Sequence, residues 1–222
     1  MPTPTNILYF KTSAELRQWF EKNHDHVQEQ WIGYYKKNSG KPIFILTFDL
    51  EEWFHILDVD FLSDSSRWEG LEVRIIDNTY KLLDILNKNN IKSTFFVLGW
   101  VAKKYPALIK YISDQGHEIG SHSQYHLLIY NSNQKNFKED VIKSIDIIQS
   151  IINKKVIIFR APGFSITNES LWAFKVIGEA GILIDSSIFP ATRGHGGIKN
   201  FGIGRPFLIK SGDLIIKEFP IN

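Results

Sequence analysis

Cysteine is absent from the 222-residue chain, which excludes a disulfide framework and any thiolate chemistry. Charge of one sign is also scarce. Lys and Arg number 26 against 24 Asp and Glu, a formal charge of +2, so nothing points to nucleic acid or an anionic membrane as partner. No apolar run approaches the ~18 residues of a spanning helix. The opening MPTPTNILYFKTSAEL lacks a basic segment followed by an apolar stretch, so it does not read as a secretory signal. From these absences the expected location is cytoplasmic. No internal repeat or low-complexity tract is visible. What is present suits a globular protein: 43% hydrophobic and 14% aromatic residues, enough for one sizeable core or one domain with an appendage.

Residues 1–42 read differently from the rest. Thr12-Ser13-Ala14-Glu15 has the form of a capping box, and Leu16, Trp19 and Phe20 then share a face, so a helix is expected up to Asn23 or His24. Gln30 to Lys36 suits a short strand, followed by the turn-rich Asn38-Ser39-Gly40-Lys41-Pro42. The stretch FKTSAELRQWFEKNHDHVQEQWIGYYKKNSGKP resembles the opening of the YdeI/OmpD-associated family of small bacterial proteins. It is too short to close a core alone and is read as a short α/β appendage without chemistry of its own.

From Ile43 the chain alternates between strands and helices. The apolar run Ile43 to Phe48 has the look of a strand covered on both faces. A helix is expected over Leu71 to Asn89 and a buried strand over Ser93 to Leu98. A helix then opens at Tyr105-Pro106, with a strand at Glu118 to Gly120 and a long amphipathic helix over Phe137 to Asn153. Val156 to Phe159 and Ile182 to Ile184 read as strands flanking a helix over Glu169 to Ala180, and Leu214 to Phe219 as the last strand. Repeated βα units of this size imply a parallel sheet, open or closed into a barrel.

Chemistry concentrates at two strand ends. GHEIGSHSQYH closes on His122 and His126, spaced i and i+4, which puts both imidazoles on one side of a helical turn or a tight loop. Neutral imidazole is the commonest metal ligand, and two His with one carboxylate make an open set for a catalytic divalent ion. A bare HxxxH is more often a pair of surface histidines. Here an apolar stretch leads into it, and a carboxylate cluster ends another strand: Thr47-Phe48-Asp49-Leu50-Glu51-Glu52-Trp53. In extended chain Asp49 and Glu51 share one face.

The segments TFDLEEWFH, STFFVLGWVAKKYP, GHEIGSHSQYH, FRAPGFSIT, LIDSSIFP and KEFP occur in this order. Together they resemble the polysaccharide deacetylase family, the NodB-homology carbohydrate esterases, and within it the subgroup tied to exopolysaccharide and O-antigen synthesis. The resemblance covers residues 43–222. It implies a distorted, here incomplete, (β/α) barrel and one divalent metal, zinc first. The implied reaction is removal of N-acetyl groups from amino sugars of a glycan or its precursor. It also implies Asp49 as general base and His122 and His126 as metal ligands. Arg160 and Pro162 match the family's Arg-x-Pro, with Arg160 keeping Asp49 ionised and Pro162 at the substrate. Asp185 matches a position that orients a catalytic group.

The chain departs from the family in two places. Leu50 stands where most members have a second acid, and Glu51 restores a carboxylate on the face of Asp49. Glu51 is therefore the expected third ligand, and Glu52 is turned away. The family's Leu-x-x-His motif, source of the acid for the leaving amine, does not appear, so a C-terminally truncated domain with slow turnover is expected. His195 or His55 would be the substitute acid. Trp53, Phe54 and Trp100 offer faces for sugar stacking, with core packing as the competing reading, and His117 reads as a packed histidine. Two other functions remain open: a descendant that binds metal or carbohydrate without turnover, and an amidase of small amides.

Overall fold

The structure, a computed structural model, describes residues 7–9, 31–33, 45–199 and 206–221. The chain divides into two compact units, Met1–Leu46 and Thr47–Asn222. In the first, β1 (Ile7–Tyr9) pairs in parallel with β2 (Trp31–Gly33). β2 falls within the stretch expected to be extended. The helix expected from Thr12 lies outside the described residues.

The second unit is built on one seven-stranded sheet. Its strands are β3 (Thr47–Leu50), β4 (Thr94–Val97), β5 (Glu118–Ser121), β6 (Ile158–Phe159), β7 (Ile184–Asp185), β8 (Phe207–Ser211) and β9 (Leu214–Glu218). They are ordered β3-β4-β5-β6-β7-β9-β8, all parallel except β8, which runs antiparallel to β9. Among the described residues β3 and β8 are the two edges. The connecting helices are α1 (Ile75–Lys88), α2 (Gly99–Lys104), α3 (Pro106–Asp114), α4 (Gln134–Ile152) and α5 (Ala173–Glu179).

Local sequence explains most of these elements. On α4, Phe137, Val141, Ser144, Ile145, Ile148 and Ile152 form the buried stripe. Asn133 caps its start by accepting from Asn136 N–H, and Asn153 ends it in the left-handed region at φ 54°. Pro106 opens α3, where a missing N–H costs nothing. On β4, Phe95, Phe96 and Val97 are no more than 1% exposed, and each contributes about 1.5–3 kcal/mol through burial.

Three expectations need correction. The first strand spans Thr47–Leu50, with Ile45 and Leu46 outside it and Ile43 and Phe44 beyond the described residues, and it is not covered on both faces: Thr47 and Phe48 are half-buried, and the Asp49 side chain stays 28% exposed. An edge strand has a partner on one side only, so apolar continuity alone misjudges its cover. The first helix starts at Ile75, not Leu71. The buried Glu52 carboxylate accepts the N–H groups of Arg74 and Ile75 at 3.0 Å each, and the helix begins where those donors are satisfied. Finally, α2 and β8 were not expected. β8 and β9 are joined through Gly212-Asp213, with Gly212 at φ 61°, a two-residue hairpin signal.

Glu52→Ala is accordingly expected to cost about 1–3 kcal/mol in urea unfolding, because the buried Ile75 N–H and the partly buried Arg74 N–H lose their acceptor. Metal stoichiometry should be untouched. A variant as stable as the parent would show that the cap contributes nothing.

Candidate metal centre

The register aligns the site. Leu50, Val97, Ser121, Phe159, Asp185 and Glu218 lie side by side across the sheet. One residue further along stand Glu51, Leu98, His122, Arg160 and Ser186. The backbone ladder still holds this second row, with His122 N–H donating to Val97 O at 2.9 Å and Arg160 N–H to Ser121 O at 3.0 Å. Parallel α/β sheets place their sites along such a carboxyl-terminal crest. Between His122 and His126 the chain makes a tight loop rather than a helical turn, with Ser123 at φ 66° and His126 at φ 56°.

The two imidazoles have fixed tautomers. His122 Nδ1 lies 2.8 Å from Arg160 O, and His126 Nδ1 lies 2.8 Å from His55 O. A carbonyl oxygen only accepts, so each Nδ1 bears the proton and each Nε2 presents a lone pair. His126 Nε2 sits 2.8 Å from Glu51 Oε2, an enclosed oxygen with no hydrogen-bond donor. Two lone pairs facing each other at that distance repel unless a cation or a proton lies between them. Ligand atoms from Glu51, His122 and His126 all fall within 4.8 Å of one another. Bonds of about 2.0–2.2 Å to one ion would draw them together, so this donor set fits a divalent metal. Burial keeps His122 neutral, below the ordinary histidine value, as a ligand must be.

Asp49 stands beside this cluster, its Oδ2 4.0 Å from His122 Nε2. Its Oδ1 accepts from Arg160 Nη1 at 2.8 Å. Arg160 is fixed from several sides: Nη2 donates to Thr47 Oγ1 and Ser186 Oγ at 3.0 Å each, and Nε to Ser186 O at 3.1 Å. The Phe96 ring lies 4.0 Å from the guanidinium carbon. Burial alone would raise the Asp49 carboxyl, but the fields of His122 and Arg160 outweigh it and hold the pKa below the ordinary value. Because His122 is itself neutral, Arg160 is the partner that acts at neutral pH.

The remaining candidates scatter. Asp185 is fully buried and does not touch the cluster. It accepts from Ser187 Oγ at 2.6 Å, and Ser187 Oγ accepts Ala161 N–H at 2.8 Å, so its effect reaches the backbone beside Arg160. Pro162 is buried at the start of the short turn Pro162–Phe164. Trp53 is 46% exposed, with the Arg74 guanidinium over its ring and its indole N–H on Glu72 O at 2.9 Å. Phe54 and Trp100 take the core reading, packed with Trp68 and Tyr125. His117 accepts Ser93 N–H at 3.2 Å and is structural. His195 Nε2 pairs with Asp58 Oδ1 at 2.7 Å, and it is not part of the metal-ligating group.

His55 is 2% exposed between Trp68 and Trp100, and burial pushes its pKa down to about 3. It is no acid at neutral pH. The unfolded chain binds a proton there from about pH 6.5 downward, whereas the native chain resists it. Stability of the metal-free protein is therefore expected to be full above about pH 6.5 and to fall by up to about 4 kcal/mol as pH drops toward 3. His55→Asn keeps an acceptor for Glu52 N–H, which His55 Nδ1 holds at 3.0 Å, and should flatten that acid limb. Parallel acid limbs in the two proteins, followed by thermal unfolding, would refute it.

Residues 36–181 match the family model described as polysaccharide deacetylase. A Bacillus cereus peptidoglycan-N-acetylglucosamine deacetylase is 33% identical over 107 residues, 47% of this chain and 48% of its own length. The peptidoglycan-N-acetylmuramic acid deacetylase PdaA of Bacillus subtilis is 52% identical over 48 residues, 22% of this chain and 18% of its own. The chain thus spans less than half the length of these curated relatives. Among solved structures, a Mycobacterium smegmatis protein assigned to the polysaccharide deacetylases superposes with a TM-score of 0.62 at 22% identity. The superposition covers 80% of this chain and 58% of that one, a likeness of fold.

Proposed function

The chain belongs to the polysaccharide deacetylase family, and from that premise we propose that it hydrolyses the N-acetyl group of an amino sugar in a glycan, with a divalent metal held by Glu51, His122 and His126. The observation that carries this reading is the convergence of ligand atoms from two histidines and one carboxylate beside an arginine-held carboxylate. Two imidazoles and one carboxylate leave open positions, the pattern of a catalytic zinc site. A divalent ion at such a set supplies Lewis acidity toward the acetamide oxygen and toward water.

The chain's own residues do the rest. Asp49, ionised and aimed by Arg160, accepts the proton of the attacking water. The C–N bond then breaks to give acetate and a free amine, whose nitrogen must gain a proton. Asp49 holds one at that stage and returns it to the amine. His195, tied to Asp58, is the histidine whose removal tests the other route.

The substrate shares one chemistry, an acetamide on a pyranose. The names of the Bacillus relatives favour N-acetylglucosamine in peptidoglycan as the first substrate to assay. An exopolysaccharide or O-antigen precursor, favoured by the sequence motifs, is the second. The test is acetate release from N-acetylglucosamine oligomers and peptidoglycan fragments, before and after chelation and after zinc is returned. Release that chelation abolishes and zinc restores supports the reading. Equal release with and without chelator, or release only from small non-sugar amides, contradicts it.

A further inference from the structure

The loop that presents the two histidines is not held by its own sequence. Ser123 and His126 both adopt positive φ, a conformation that costs a non-glycine residue on the order of 1 kcal/mol or more and persists only when its surroundings impose it. Two neighbours impose it. At the start of α2, Gly99 N–H donates to Ser123 O at 2.8 Å and Trp100 N–H to Gln124 O at 3.1 Å. From α4, Asp140 Oδ2 accepts Gln124 N–H at 2.8 Å. One turn later on the same helix, Ser144 Oγ meets Ser121 Oγ at 2.9 Å, in the strand that leads into the loop.

We propose that Asp140 is a positioning residue for the metal ligands, its carboxylate clamping the peptide units between His122 and His126 against the start of α2. The proposal rests on the assignment of those histidines as ligands. Asp140 touches neither ligand and acts through the loop backbone. Gly99 completes the clamp. A Cβ there would lie 2.2 Å from Gln124 Oε1 and 3.0 Å from Ser144 Cα, so only glycine lets the loop approach α2 and α4 this closely. Asp140 is kept at a cost. Its Oδ1 is enclosed without a partner, and burial pushes its pKa up to about 6 despite the N–H groups of Gln124 and Tyr125. A carboxylate half-satisfied in this way is poor design for stability alone. As a backbone acceptor it removes the loop's alternative conformations, so metal binding need not supply the ordering free energy.

The experiment uses the full chain, stripped of metal, with two readouts. The first is amide hydrogen exchange in the metal-free protein. Asp140→Ala should speed exchange at Gln124 and Tyr125 by at least about tenfold, with β4 amides unchanged. The second is zinc affinity by competition with a chromophoric chelator. Asp140→Ala should weaken it about 10–100-fold, whereas Asp140→Asn, which keeps an acceptor oxygen, should stay within about threefold of the parent. Asp146→Ala, an exposed acid on the same helix, should change neither. Parent-like exchange and affinity in Asp140→Ala, or Asp140→Asn as weak as Asp140→Ala, overturns the proposal. If Asp140→Ala does not fold, Gly99→Ala decides. It should weaken zinc by at least about fivefold, and parent affinity there overturns the clamp. A parent that binds no zinc contradicts the metal reading, and the exchange measurement still tests the clamp.

Discussion

His126→Ala is expected to weaken zinc binding by about 10²–10⁴-fold. The estimate comes from dividing a typical zinc binding free energy of about 10–16 kcal/mol among three or four ligands. It also follows from the geometry, since His126 Nε2 is the atom that faces Glu51 Oε2 at 2.8 Å. Removing the imidazole leaves Glu51 and His122 as a two-point site, with the neighbouring Asp49 carboxylate engaged by Arg160. The fold should persist, because the substitution leaves the strands intact. His122→Ala should lose as much. Glu51→Gln should lose less, because an amide oxygen still coordinates weakly. Calorimetric titration of the metal-free proteins checks the series. Unchanged metal stoichiometry in His126→Ala would remove the basis of the site.

Asp49→Asn is expected to lower kcat for deacetylation by about 10²–10⁴-fold while leaving metal affinity nearly unchanged. An amide cannot take the water proton, but it keeps the shape and an acceptor oxygen for Arg160. Because the loss belongs to the reacting state, KM should move little. Arg160→Met gives a second, independent signature. The guanidinium holds the Asp49 carboxyl below its ordinary pKa. Without it the pKa rises, so the acid limb of kcat/KM should shift to higher pH, with activity lost earlier on acidification. Arg160→Lys is not a conservative control, since an ammonium cannot reach Asp49, Thr47 and Ser186 in one plane. An unshifted acid limb in Arg160→Met would mean that Asp49 is not the titrating base.

The sequence made the sheet and its crest legible because both rest on local pattern. STFFVL reads as a buried strand and is one. GHEIGS delivers its ligands where a strand ends, and period-two alternation put Asp49 and Glu51 on one side and Glu52 on the other. What it left hidden depends on partners far along the chain. The start of α1 is set by Glu52, more than twenty residues upstream, so helical spacing alone placed it too early. The edge position of the first strand is likewise something no local run reveals. Asp140 resembles any acid on an amphipathic helix, and its meaning appears only when Gln124 N–H is found on its carboxylate. The hairpin at Gly212-Asp213 did carry a readable turn signal, weakened by the uneven flanks of β8.

Zinc-edge anomalous diffraction from zinc-soaked crystals tests the account's central claim most directly. The account predicts a single strong peak about 2.0–2.2 Å from a Glu51 carboxylate oxygen, His122 Nε2 and His126 Nε2, with Asp49 close by but still paired to Arg160. No peak there at saturating zinc, or a peak held by Asp49 and Glu52 instead, would contradict it.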